Sequence, residues 1–306
     1  MYCFDLANEG ASPALRVYLN LGTLLELPPE SSWPGLEGRE RMVQLAADGY
    51  EGVQLIDDGP PVGGSPLPHC GLGRVNLPAD AESLVARSAA RGDHCLTVHA
   101  GWGIEDNDTA FALVEAILTA SGKYRLPVFI ETHRATITQD LWRTVKLAEK
   151  FPEIRFNADL SHYYTGLELV YGELEMKLDF MAPIFERTGF IHGRIGSPGC
   201  MQVAIGDGHG RPGAACGEVD FLADFREMWT RAMRGFLQGA AAGEFLVFAP
   251  ELLPASIYYA RGLRGSDGVF VEESDRYREA LAYQRIAREC FAAACAATPG
   301  QRSSSC

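Results

Sequence analysis

Lysine is scarce in this chain: four residues in 306, with 40 acidic side chains and a formal net charge of −13. Nucleic-acid binding rests on a basic face that displaces counterions from phosphates, so no DNA or RNA partner is expected. Paired cysteines are missing too. The eight cysteines (3, 70, 95, 200, 216, 290, 295 and 306) form no CxxC. That excludes the usual zinc knuckle and points to reduced, mostly buried thiols. No apolar run approaches the roughly 18 residues needed to span a bilayer. The opening "MYCFDLANEG" lacks the basic-then-apolar pattern of a signal peptide. A cytoplasmic protein without a membrane partner is the expectation. There is also no P-loop, and no GxGxxG follows a strand as a dinucleotide fingerprint would require.

What is present is a repeated unit of short apolar run, loop and amphipathic helix. Strands are expected over 15–21, 52–56, 72–77, 95–100, 127–132, 154–160, 189–195 and 245–252. Helices are expected over 39–49, 80–91, 107–121, 138–150, about 172–187, 219–238 and 275–296. Stretch 57–71 is rich in Gly and Pro and holds little helix, and 72–77 is the weakest strand. Alternating strands and helices imply parallel pairing with right-handed crossovers. Eight such units suggest an α/β fold of the closed (β/α)₈ type, a TIM barrel, with a doubly wound sheet as the alternative. The expected organisation is one barrel domain over 1–297 and a disordered tail over 298–306.

In such a barrel, chemistry sits where the strands end. Strand four reaches His99 in "TVHAGWG", and strand five ends at Glu131 with His133 just beyond in "VFIETHR". Strand six ends at Asp159 in "DLSHYY", which also holds His162. Strand seven reaches His192 and Arg194, and strand eight ends at Glu251 in "FAPEL". Each residue has a bland reading. Glu131 or Glu251 could be a solvated loop acid, Asp159 a helix cap, His99 a core histidine and Arg194 a partner for a nearby acid. Four consecutive strands delivering Glu, Asp, His and Glu to one rim is a less accidental pattern. Close carboxylates repel and raise one another's pKa values, and a divalent cation neutralises them. The mostly oxygen set suits Mn²⁺, Mg²⁺, Co²⁺ or Zn²⁺.

These residues resemble the xylose isomerase-like barrels of the sugar phosphate isomerase/epimerase superfamily, and within it the ketose 3-epimerase and inosose-processing branch. The likeness covers essentially the whole chain and is most specific over 95–252. It implies that Glu131, Asp159 of a D-x-x-H motif, His192 and Glu251 hold one divalent metal ion, with Mn²⁺ the first choice. His162 would be a substrate ligand, and dimers or tetramers would be usual. The chain departs from the pattern at "ETHRAT", where the epimerases carry a Pro or aliphatic residue and an Asn. Their substrate-binding arginine also lies some six residues past the strand-seven histidine, whereas Arg194 lies two past His192.

The resemblance implies a sugar isomerase or epimerase that abstracts a proton next to a carbonyl, with the metal stabilising an enediolate as a Lewis acid. Glu131 and Glu251 would act from opposite faces. His99, His133, His162 and Arg194 would orient hydroxyls, and Trp102 would stack on the sugar. A lyase acting on keto-sugars or 3-keto-glycosides is the alternative, with His133 protonating the leaving group. That alternative includes C-glycoside cleavage and inosose dehydration. The zinc-dependent AP endonucleases share the fold, but they need a larger His-rich cluster and a basic surface. A non-catalytic sugar-binding barrel is a further alternative, and it predicts a lost ligand position.

Overall fold

Short apolar runs become strands because each is buried on both faces once helices cover a parallel sheet. The barrel strands are β1 (Ala14–Asn20), β2 (Gly52–Gln54), β3 (His69–Val75), β4 (Leu96–Ala100), β5 (Val128–Glu131), β6 (Phe156–Ala158), β7 (Thr188–Gly193) and β8 (Glu244–Pro250), with the short Cys3–Phe4 strand pairing antiparallel on β8. Each barrel strand pairs in parallel with the next, and β8 pairs in parallel with β1. Eight parallel strands therefore close into a TIM barrel. The structure, a computed structural model, describes residues 1–5, 11–56, 59, 61–212 and 219–298. The expected tail beyond 298 and parts of the 57–71 and 196–217 loops lie outside the described residues.

The helices are α1 (Gly38–Ala47), α2 (Pro78–Arg91), α3 (Asn107–Tyr124), α4 (Leu141–Lys150), α5 (Ser161–Gly166), α6 (Leu174–Phe180), α7 (Ala182–Phe185), α8 (Phe221–Gly239) and α9 (Arg276–Ala297). Four of them open on an aspartate whose side chain accepts from a first-turn N–H: Asp106, Asp140, Asp220 and Asp275. Each such cap is worth about 1 kcal/mol. Long helices seal the barrel from outside. Trp229 of α8 is fully buried edge-on against Phe248 of β8, with ring centroids 5.2 Å apart. Among the described residues no helix is long and apolar enough to cross a membrane.

Three expectations need correction. The third strand lies at His69–Val75, not 72–77, because Pro78 starts α2 and the Asp80 carboxylate accepts the Leu77 N–H at 2.8 Å. Residues 76–77 are thus a helix lead-in. The strand instead reaches back through Gly71 and Gly73, where close neighbours leave no room for a Cβ (Leu84 would lie 2.8 Å from one at Gly73). The helix expected over 172–187 is two pieces, α6 and α7, because Pro183 has no N–H to continue the ladder. Finally, the 253–274 segment is not all loop: Gly262–Arg264 pairs antiparallel with Phe270–Glu272.

Candidate metal centre

The four strands β5 to β8 point their C-terminal ends at one place. Glu131 ends β5, Asp159 follows β6 by one residue, His192 lies in β7 and Glu251 follows β8 directly. All four side chains are buried, and they offer donor atoms that lie within 4.8 Å of one another. His192 Nδ1 is 3.5 Å from Glu131 Oε2, 3.3 Å from Glu251 Oε2 and 4.0 Å from Asp159 Oδ2. Three carboxylates this close in a dry pocket need positive charge. Glu131 Oε1 is buried with no hydrogen-bond partner, so the set has unspent ligand capacity. The residues therefore fit a divalent ion of the hard or borderline kind.

A second ring of polar groups orients these donors. The His192 Nε2–H donates to Gln54 Oε1 at 2.8 Å, which leaves Nδ1 facing the carboxylates. Asn20 Nδ2 donates to Gln54 Oε1 at 2.7 Å and to Glu251 Oε1 at 2.9 Å. Gln54 donates onward to Thr97 Oγ1 at 2.8 Å, and Asn157 Nδ2 donates to Glu131 Oε2 at 3.2 Å. None of these amides was picked out from the sequence. Their signal was a polar residue at the end of β1, at the end of β2 and within β6; on β1 and β2 no ionisable group drew attention, and just after β6 Asp159 did.

Arg194 supplies the other positive charge. Its Nη2 donates to Asp159 Oδ2 and, at 2.9 Å, to Glu251 Oε2, and its Nε donates to Ser161 Oγ at 3.2 Å. The ring of Tyr259 lies 4.5 Å from the guanidinium carbon. The residue is therefore tied to two of the carboxylates rather than held free for a substrate. Burial alone would raise the Glu131 carboxyl, but the charges of His99 and His192 outweigh it and hold it well below the usual carboxylate range. Burial wins at Glu251 and raises it despite His192 and Arg194. Burial opposes the charge on His192, yet Glu251 and Glu131 lift it to about 9.

Beside this cluster three histidines stack. His133 sits between His99 and His162, with ring centroids 4.4 Å and 3.8 Å away. His99 Nε2 is 3.2 Å from Glu131 Oε2, and both ring nitrogens of His162 are buried without a hydrogen-bond partner. Burial pushes His133 down to about 4, with Glu131 only partly opposing it. A neutral imidazole at pH 7 is a ligand or hydrogen-bonding group, so the proton-donor role expected for His133 is not the one its surroundings favour.

No sequence-family model and no curated protein sequence matches the chain. Solved structures do. The chain is similar to the probable 3-DHS dehydratase AsbF of Bacillus anthracis, involved in petrobactin synthesis, at 12% identity and a TM-score of 0.51. That match covers 89% of this chain and 97% of the other. It is also similar to a xylose isomerase-like TIM barrel protein of Mycobacterium smegmatis in complex with magnesium. There the identity is 11%, the TM-score 0.50, and the coverage 93% of this chain and 98% of that one. The fold is that of the xylose isomerase-like TIM barrels.

Around the mouth of this xylose isomerase-like barrel, Trp102 is 55% exposed and carries the Arg74 guanidinium 4.6 Å over its ring. The exposed Arg134 lies 5.5 Å from the Tyr259 ring, so that ring has a guanidinium against it from Arg134 as well as from Arg194. The loops after β7 and β8 are tied together beside Glu251. Gln202 accepts from Leu253 N at 2.9 Å and donates to Leu253 O at 3.2 Å.

The first of these loops is also held by Glu279 of α9, whose Oε1 accepts from Ile205 N at 2.6 Å and Gly206 N at 2.8 Å. Burial lifts that carboxyl from 4.5 to about 7, against the pull of the two N–H groups. An acid raised on folding stabilises the fold fully below its unfolded pKa and loses that contribution as pH climbs through the folded one. The expected cost of ionising Glu279 in place is about 3 kcal/mol. Chemical denaturation of wild type and Glu279→Gln at pH 5 and pH 8 should therefore give similar stabilities at the lower pH and a more stable variant at the higher. A variant equal to wild type at both values would show that the carboxyl does not titrate there.

Proposed function

We infer that this protein is a divalent-metal-dependent enzyme that moves a proton next to the carbonyl of a sugar or cyclic polyol, as an isomerase or epimerase. The observation that carries this reading is the set of four buried donors gathered within 4.8 Å from consecutive strand ends. Glu131, Asp159, His192 and Glu251 would hold the ion, Mn²⁺ by preference, with Mg²⁺, Co²⁺ and Zn²⁺ as alternatives. When bound, the ion supplies Lewis acidity toward a carbonyl oxygen. Glu131 and Glu251 flank His192 from strands three apart in the barrel, which suits attack on the two faces of one carbon. In this reading Glu131 takes the proton from the carbon and Glu251 returns one from the other side. His99 and His162 would hold hydroxyls, Arg194 would position Asp159 and Glu251, and Trp102 would cover the apolar face of the ring.

Elimination is the second reading. The stacked His99, His133 and His162 put three imidazoles beside Glu131, of which His99 is raised by Glu131 against its burial and can carry a proton, and AsbF, by its name, is a probable dehydratase. Protein stripped by chelator and reloaded with Mn²⁺ should be incubated in D₂O with free ketoses and with 3-keto-glycosides, and followed by NMR. Deuterium entering next to the carbonyl together with an epimeric product supports the first reading. Release of an aglycone or of water supports the second. Binding without exchange or release would leave only a sugar-binding barrel.

A further inference from the structure

We propose that Cys95 is an oxidation site, which a hydroperoxide converts into a disulfide with Cys3 at the end of the barrel away from the metal centre. The inference does not depend on the metal or on the reaction. Cys70 is the second residue of β3, Cys95 directly precedes β4, and Cys3 belongs to the short strand on the start of β8. These are the N-terminal ends of the barrel strands, the floor of the barrel. The three cysteines are fully buried and share one small apolar cluster with Tyr18, Phe129 and Phe245. Within it the Cys95 side chain hydrogen-bonds to both other thiols. Buried thiols of this kind are usually inert packing, and two observations set Cys95 apart.

The first is its surroundings. Burial opposes ionisation of Cys95, yet the Cys3 and Cys70 thiols and the neighbouring His94 outweigh it and bring it down to about 5. Burial pushes the other two thiols up. One sulfur is thus the nucleophile, and the other two donate to it. The second observation is the seat of Cys3. Its strand is two residues long and is held on β8 by the pairs Cys3–Phe245 and Phe4–Glu244. So short a strand opens more readily than the barrel does, and its opening gives a peroxide a way to Cys95.

Cys70 is the poorer partner although it is as near. It lies beside Cys95 on the neighbouring parallel strand, one step before the Gly71–Leu96 pair. Adjacent strands run about 4.7–4.9 Å apart, which holds the two Cβ atoms beyond the roughly 3.5–4.5 Å a disulfide takes. A closed barrel cannot draw two of its strands together. Cys3 carries no such restraint.

The step balances with the peroxide as the two-electron oxidant. The Cys95 thiolate attacks one peroxide oxygen, the O–O bond breaks, and the departing oxygen leaves as water with the proton the thiol gave up. This makes Cys95 a sulfenic acid. When the strand closes again, the Cys3 sulfur forms the S–S bond as the S–O bond breaks, and the second oxygen leaves as water with the Cys3 proton. Two thiols are oxidised to one disulfide, and the peroxide is reduced to two waters.

The test uses the full chain, reduced, freed of reductant and exposed to hydrogen peroxide. The protein is then alkylated in denaturant and mapped by peptide mass without reduction. A peptide linking Cys3 to Cys95, lighter by two hydrogens than its parts and released by dithiothreitol, is expected as the main product at these residues. In Cys3→Ser, Cys95 should instead carry added oxygen, whereas Cys70→Ser should still form the link. The wild-type map decides the question even where a variant does not fold. Cys95 left unoxidised while circular dichroism shows the fold intact would overturn the proposal, as would a wild-type link from Cys95 to Cys70 or to any other cysteine. Thermal melts should show the linked form the more stable, because closing so long a loop restricts the unfolded chain. A linked form less stable than the reduced one would overturn the placing of Cys3 against Cys95 in the folded barrel.

Discussion

Glu131→Gln is expected to reduce turnover by about 10²–10⁴-fold, the range a positioned proton-transfer group commonly contributes. The change keeps the size and shape of the side chain, and the new amide oxygen can still accept from Asn157, which now donates to Glu131 Oε2 at 3.2 Å. What is lost is the charge that His99 and His192 hold in place and, with it, a base and a ligand. The variant should fold, as circular dichroism will report, and should bind less divalent ion on dialysis. Deuterium exchange next to the carbonyl, followed on Mn²⁺-loaded protein, is the measurement. Normal exchange by this variant would remove Glu131 from the chemistry and with it the mechanism put forward above.

How much of this was legible beforehand depends on how loudly each residue speaks. Glu131, Asp159, His192 and Glu251 stood out because an ionisable group interrupts or ends an apolar run, which is costly without a reason. Asn20, Gln54 and Asn157 did not, since a neutral amide near a strand end is ordinary loop composition, yet they bridge β1, β2 and β6 to the centre. The hairpin after β8 carried a signal that was read as loop: "SDG" at 266–268 is a turn with short strand-like runs on both sides. Its strands are only three residues each and largely exposed, so no alternation of buried positions marked them.

Arg194 shows the limit most clearly. Its two carboxylate partners lie 35 and 57 residues away in sequence. Which of several acids an arginine meets is decided by the order of strands round the barrel, and no local pattern encodes that. Position two beyond His192 made a pocket location natural. The assignment to substrate rather than to Asp159 and Glu251 followed from the resemblance, where the arginine sits elsewhere.

Arg194→Met is expected to destabilise the metal-free protein by about 3–5 kcal/mol, the usual effect of removing one partner from a buried ion pair. Arg194 is 1% exposed, and its guanidinium lies against Asp159, which is fully buried, and Glu251. Methionine fills much of the space but leaves the two carboxylates facing each other. A divalent ion at the centre meets the same oxygens, so in wild type it must displace or share the guanidinium. In the variant nothing competes. Added Mn²⁺ at about a hundred times its Kd contributes about 2.7 kcal/mol to any form that binds it, and the variant should bind the more tightly. Thermal melts with and without Mn²⁺ should then show a lower starting point for Arg194→Met and a larger upward shift on adding the ion. Equal melting temperatures in the stripped proteins would mean the pair is not structural. Equal shifts with Mn²⁺ would mean that the ion and Arg194 use different oxygens, and that the arginine stays in place when the centre is filled.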